Sequence, residues 1–422
     1  MNRTICKLLR PLGIAFAASM LAVAAPAHAV IDGITGSAFT LTAKADYISS
    51  ADGNSHFTWG YANGAGRMQY TGPTMIVQQG ATVTVTLDNT LPVPVSILFP
   101  GQRNVVAAGG APGLLTREAP PSGGSATYSF VASEPGTYLY YSGTQPELQI
   151  EMGLVGALVV RPNVPDPLHQ AYVQPGTGFD REYLFVLTEM DPLIHAQVEL
   201  GRMTQVDSPA RRSTLWFING RNGPDTLLPA FVPWMPTQPY NSLPRMHPGE
   251  KILLRIANAG RELHPFHTHG NNTTLIARDG RVLESAPGVG PDLATSDYTI
   301  KTIPGETYDA TYEWTGKGLG FDAYGHAPGD PMAPNEYAPD HGKPLPVVLP
   351  NILDLTFGEY YSGSPFLGRF GALPAGHPGL NQTAGFFHMF HSHTEKELTN
   401  DDIFPGGMMT MVIVEPATVP IP

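Results

Sequence analysis

Cysteine is nearly absent: the 422 residues contain one, Cys6. It lies in the segment read below as a signal peptide, so the mature chain has none. That excludes any disulfide, and it removes the thiolate from the inventory of metal ligands. Cys6 does not sit at the cleavage point, which argues against a lipid anchor there. Charge is also sparse, with 14% of residues charged and a formal net charge of −12. Losing Arg3, Lys7 and Arg10 with the signal makes it −15. Such an acidic balance argues against nucleic-acid or anionic-membrane partners. Beyond the N-terminus no stretch is apolar enough to cross a bilayer.

Those three basic residues precede a mostly apolar run from Leu12 to Ala25, which ends in Ala27-His28-Ala29. A basic start, a short apolar run and a small-residue site form a secretory signal peptide, expected over residues 1–29. The mature protein is then expected to begin near Val30, in a periplasmic or secreted location.

Glycine and proline are abundant, at 46 and 42 residues. They build turns and break helices. Runs such as Thr82-Val83-Thr84-Val85-Thr86-Leu87 alternate like half-buried strands. An all-β fold of two sandwich domains is therefore expected: an N-terminal domain over 30–165 and a C-terminal domain over 166–422. The Pro-rich passage from Pro162 to Pro175 reads as the linker. The units echo each other, because Gly80 to Asn89 and Gly249 to Asn258 share a glycine, an alternating strand and a closing asparagine. A Pro/Gly-rich insertion at about 324–382 reads as a surface excursion, less commonly a lid or interface arm.

Six of the 14 histidines fall in two strings, His264-Pro265-Phe266-His267-Thr268-His269 and His388-Met389-Phe390-His391-Ser392-His393. Residues two apart on a strand share a face. If the strands are neighbours, His267, His269, His391 and His393 converge. Neutral imidazole suits copper, zinc, nickel or iron. The bland reading is four structural or surface histidines; the twin pattern favours a metal site. His264 is a candidate fifth ligand or a satisfied structural histidine. His388, three before His391, falls on the opposite face. Glu395, Glu397, Asp401 and Asp402 could add oxygen ligands, although a solvated turn is their commoner role. Met409 and Met411 read as core packing.

These motifs resemble the multicopper oxidases, which are built from cupredoxin domains, Greek-key β-sandwiches. The resemblance rests on Gly72-Pro73-Thr74, Pro135-Gly136-Thr137-Tyr138, Gly153 to Leu158, His264 to Gly270, and His391-Ser392-His393 followed by Gly407-Met408-Met409. Two units make the chain similar to the two-domain laccase-like and nitrite-reductase-like members, which implies a homotrimer.

The departures matter equally. The family's His-Trp-His segment of the first domain is here Leu98-Phe99-Pro100, and its His-Ser-His is Tyr141-Ser142-Gly143. Four ligands of the trinuclear copper cluster are thus replaced. At the blue-copper site the cysteine position is Ser392 and a later histidine position is Glu397. His264 matches the remaining histidine ligand and Met408 the axial methionine. Without the thiolate a blue-copper centre cannot assemble.

The expected cofactor is therefore copper on His267, His269, His391 and His393, with zinc or another divalent metal as rival. Two functions stay open. One is a copper-dependent oxidoreductase using a small-molecule reductant or oxygen. The other is a non-catalytic metal-binding or extracellular assembly protein.

Overall fold

The structure is a computed structural model that describes residues 31–344 and 386–421. The signal peptide expected at 1–29 and the insertion from 345 to 382 lie outside the described residues. The all-β class holds. Strands between Ile34 and Arg161 build a four-stranded and a six-stranded sheet, and strands between Arg181 and Val414 build a seven-stranded and a five-stranded sheet. The helices are short; the longest among the described residues, Pro192–Glu199, has eight residues. No described helix is long and apolar enough to cross a membrane.

The strand Thr82–Asn89 shows how the sequence sets burial. Val83, Val85 and Leu87 point into the first core, while the threonines between them are less buried. Its counterpart Lys251–Asn258 is buried on both faces from Ile252 onward. Ile252, Leu254 and Ile256 enter the second core. On the other face Ala257 joins Leu184, Val186 and Ala259 against Ile76, Leu139 and Val159 of the first sandwich. Burial by a neighbouring sandwich, not strand geometry, removes the alternation here.

That junction also holds charge. Glu182 takes Arg161 from the first sandwich and Arg255 Nε at 2.8 Å from the second. Thr137 Oγ1 donates to Asp309 across the junction at 2.6 Å. Burial alone would raise the Glu182 pKa; the guanidiniums of Arg255 and Arg161 hold it below the ordinary carboxylate value.

The internal echo is structural. Asn89 Nδ2 donates to the carbonyls of Val93 and Ala119, and its Oδ1 accepts from the Leu91 amide. Asn258 repeats this, with Nδ2 on the Glu262 and Thr302 carbonyls and Oδ1 on the Gly260 amide. Each buried asparagine thus clamps the turn that follows its strand. Nine residues beyond Asn89 stands Leu98, and nine beyond Asn258 stands His267. Leu98 bridges Tyr141 as His267 pairs with His391.

Candidate metal centre

The strand His264–Thr268 pairs antiparallel with Phe386–Ser392 in the five-stranded sheet, and His267 stands opposite His391. Phe266 and Phe390 point into the core beneath them. The Pro265 carbonyl accepts the His393 amide at 2.7 Å and extends the pairing. Gly270 then turns the chain at φ +86°, where a Cβ would lie 2.5 Å from Tyr312 Oη and 2.6 Å from His388 Cγ. Only glycine fits that turn.

The convergent ligand atoms belong to His267, His269 and His391, all within 4.8 Å of one another. His269 Nε2 and His391 Nε2 are 3.1 Å apart. With metal–nitrogen bonds of ~2.0 Å, that separation corresponds to a ligand–metal–ligand angle of roughly 100°, suited to one shared ion. The His391 ring donates from Nδ1 to the Ser392 carbonyl at 2.6 Å, which leaves Nε2 with its lone pair facing His269. Thr299 Oγ1 lies 2.8 Å from His267 Nδ1 and fixes that ring. Tyr298 meets the same ring edge-on, 5.4 Å between centroids.

His393 is exposed and sits at the rim, its ring 4.8 Å from that of His267 and 5.8 Å from that of His391. Sequence spacing could pair the histidines but could not show that the second strand ends at Ser392, which leaves His393 outside regular pairing.

Electrostatics suit a cation. Burial, then the proximity of His391 and His393, pushes the His267 pKa down to about 4. Burial and the neighbouring imidazoles push His269 to about 3, and burial lowers His391. These rings are neutral at pH 7, with lone pairs available.

His264, the other candidate ligand, lies apart. Its Nδ1 is 2.9 Å from Glu397 Oε2 and its Nε2 is 3.0 Å from Glu189 Oε2, with no side-chain exposure. Burial opposes its charge, but hydrogen bonds to Glu189 and Glu397 prevail and raise its pKa to about 9. Both ring nitrogens are thus occupied. Ser392 and Met408 adjoin this group, joined by the Ser392 amide and the Met408 carbonyl at 3.0 Å. An ion-paired carboxylate–imidazole–carboxylate group fills the place the resemblance assigns to blue copper. Glu189, 75 positions upstream of His264, carried no sequence signal.

His388 faces the core beside Trp314 and is fully buried, with a pKa pushed by burial to about 3. In the first sandwich, the register counted from Asn89 puts Leu98, Pro100, Tyr141 and Gly143 where His267, His269, His391 and His393 stand in the second. A Cβ on Gly143 would lie 2.7 Å from Leu98 Cγ. This position is an apolar plug with no metal ligand.

Residues 43–164 match the multicopper oxidase family model. A laccase of Cryphonectria parasitica is 28% identical over 246 residues, covering 57% of this chain and 36% of that protein. The chain covers still less of a multicopper oxidase of Cercospora beticola, 34% identical over 104 residues, at 16% of its length. Among solved structures, the blue copper oxidase of Nitrosomonas europaea matches at 18% identity and TM-score 0.55, over 89% of this chain and 85% of that one. The last likeness establishes the fold, two cupredoxin-type sandwiches. With the family match and the laccase match beside it, residues 43–164 carry a multicopper oxidase domain, and the chain spans only about a third of the laccase it matches.

Proposed function

We propose that this is an exported copper-binding relative of the multicopper oxidases that uses a histidine-only centre. The family implies copper, and His267, His269 and His391 would hold it, with His393 at the mouth. The carrying observation is that these three buried or half-buried imidazoles converge within 4.8 Å and are held neutral. Bound copper would supply one-electron chemistry toward a small reductant or oxygen. The chain's own contribution is to orient the rings through Thr299 and the Ser392 carbonyl, and to expose His393 to solvent.

A second reading, copper binding without turnover, has its own support. Among the described residues, the apolar plug at Leu98 and Gly143 and the ion-paired His264 group offer no open ligand set where the resemblance places the other coppers. The domain limits of 30–165 and 166–422, export to the periplasm or medium, and a homotrimer belong to this proposal as well.

The test is copper stoichiometry in His267→Ala/His391→Ala. The variant should lose high-affinity copper and keep its fold, because both cores are built from apolar strands. Unchanged copper affinity would reject the centre. Oxidation of a phenolic or metal-ion reductant that disappears with the copper would select the enzymatic reading; copper binding with no turnover would select the other.

A further inference from the structure

The described part of the insertion contains a second cluster, separate in sequence from the histidine centre. Asp322, His326, Glu336 and His341 each offer one ligand atom, and these atoms lie within 4.8 Å of one another. His326 Nδ1 is 2.9 Å from Glu336 Oε2 and 3.7 Å from Asp322 Oδ2. His341 Nδ1 is 2.6 Å from Glu336 Oε1 and 3.8 Å from Asp322 Oδ2. The Asp322 and Glu336 side chains are 1% and 3% exposed. Among the described residues they form ion pairs with these two imidazoles only.

Two features point to a ligand rather than to a solvated turn. First, the two carboxylates are held together, with ligand oxygens within 4.8 Å of each other and both facing His326 Nδ1. Two carboxyl groups this close and away from water keep a proton between them or recruit a cation. Second, His341 Nε2 is 3.0 Å from the Asp330 carbonyl. The ring donates its Nε2 hydrogen there, so in the neutral form its Nδ1 lone pair faces the carboxylates. That is how a metal-ligating imidazole is oriented. Backbone amides fix the carboxylates: Gly342 donates to Asp322 Oδ2 and Ala333 to Glu336 Oε2, each at 2.8 Å.

We propose that Asp322, His326, Glu336 and His341 bind a divalent first-row metal ion, two imidazoles and two carboxylates forming a closed set of the kind zinc accepts. The ion staples the insertion to the second sandwich. Phe321 and Ala323 at the start of the segment pack on the core that contains Trp314 and Phe386. Phe386 begins the strand that carries His391. The site does not depend on the copper reading.

The experiment uses the full chain carrying His267→Ala/His391→Ala, stripped with chelator and dialysed against zinc at pH 7.5. One equivalent of zinc should remain, and cobalt in its place should give the visible absorption of a tetrahedral site. Adding His326→Ala/His341→Ala should abolish both. Adding only Glu336→Gln, a milder change, should weaken zinc binding more than about tenfold. A parent variant that binds no zinc would overturn the proposal, and so would unchanged affinity in Glu336→Gln. In either case the cluster is an ion-paired turn with protonated histidines. Copper binding by the unmodified histidine centre is scored separately, so failure of one site leaves the other intact.

Discussion

His264 gives a prediction whose size follows from the structure. Its pKa is about 9 in the folded protein, against about 6.5 for an unperturbed imidazole. At ~1.4 kcal/mol per pH unit the charged group contributes roughly 3 kcal/mol to stability. The sign follows from the raised value. The contribution is fully present below pH 6.5, where folded and unfolded chains are both protonated. It declines as pH rises through the window between 6.5 and 9, because only the folded chain still holds the proton. His247 and His341 also carry raised pKa values, from hydrogen bonds to Glu250 and Glu336, so the wild-type slope alone is ambiguous. Urea unfolding of the metal-free protein and of His264→Gln should therefore be compared from pH 6 to pH 10. The stability difference should shrink by roughly 3 kcal/mol across that range, with one extra proton released on unfolding near pH 8. The imidazole resonance of His264 should titrate near pH 9. Parallel curves, or a resonance titrating near 6.5, would refute the carboxylate-clamped imidazolium.

Other outcomes follow from the same geometry. Because the folded pKa values of His267 and His269 are about 4 and 3, protons should compete with copper mainly below pH 5; equilibrium dialysis should show copper retained at pH 5.5 and released near pH 3. Ser392→Cys should show no intense blue absorption with copper, since His264 is held by Glu189 and Glu397; a strong band would show that this group can open. Glu182→Gln removes the buried carboxylate that Arg161 and Arg255 share and leaves Arg255 only Asp309, at 3.6 Å, so thermal or denaturant unfolding should report a loss of about 3–5 kcal/mol.

Much of the architecture was legible in residue patterns. Alternation in Thr82–Asn89, the paired His-X-His strings and the repeated asparagine all correspond to observed elements. What escaped depends on contacts between distant segments. The double-sided burial of Lys251–Asn258 comes from the neighbouring sandwich, so its sequence lost the period of two. Thr299 and Glu189 orient or bind histidines from strands far along the chain, and single hydroxyls and carboxylates carry no spacing signal. The Asp322 cluster uses irregular spacing inside Pro/Gly-rich sequence, where neither strand nor helix periodicity applies. Asp322 itself precedes the insertion limit drawn from composition.

The two asparagine clamps separate what holds the scaffold from what holds a metal. Each fixes its turn with amide hydrogen bonds alone, and strand pairing after it keeps the same count in both halves. In one half, leucine, proline, tyrosine and glycine occupy the positions that histidines occupy in the other, without any shift in register. Ligand positions in this architecture are therefore free to drift while the framework stays intact. Common descent between such halves is better traced by counting from the buried asparagine than by looking for the residues that carry chemistry.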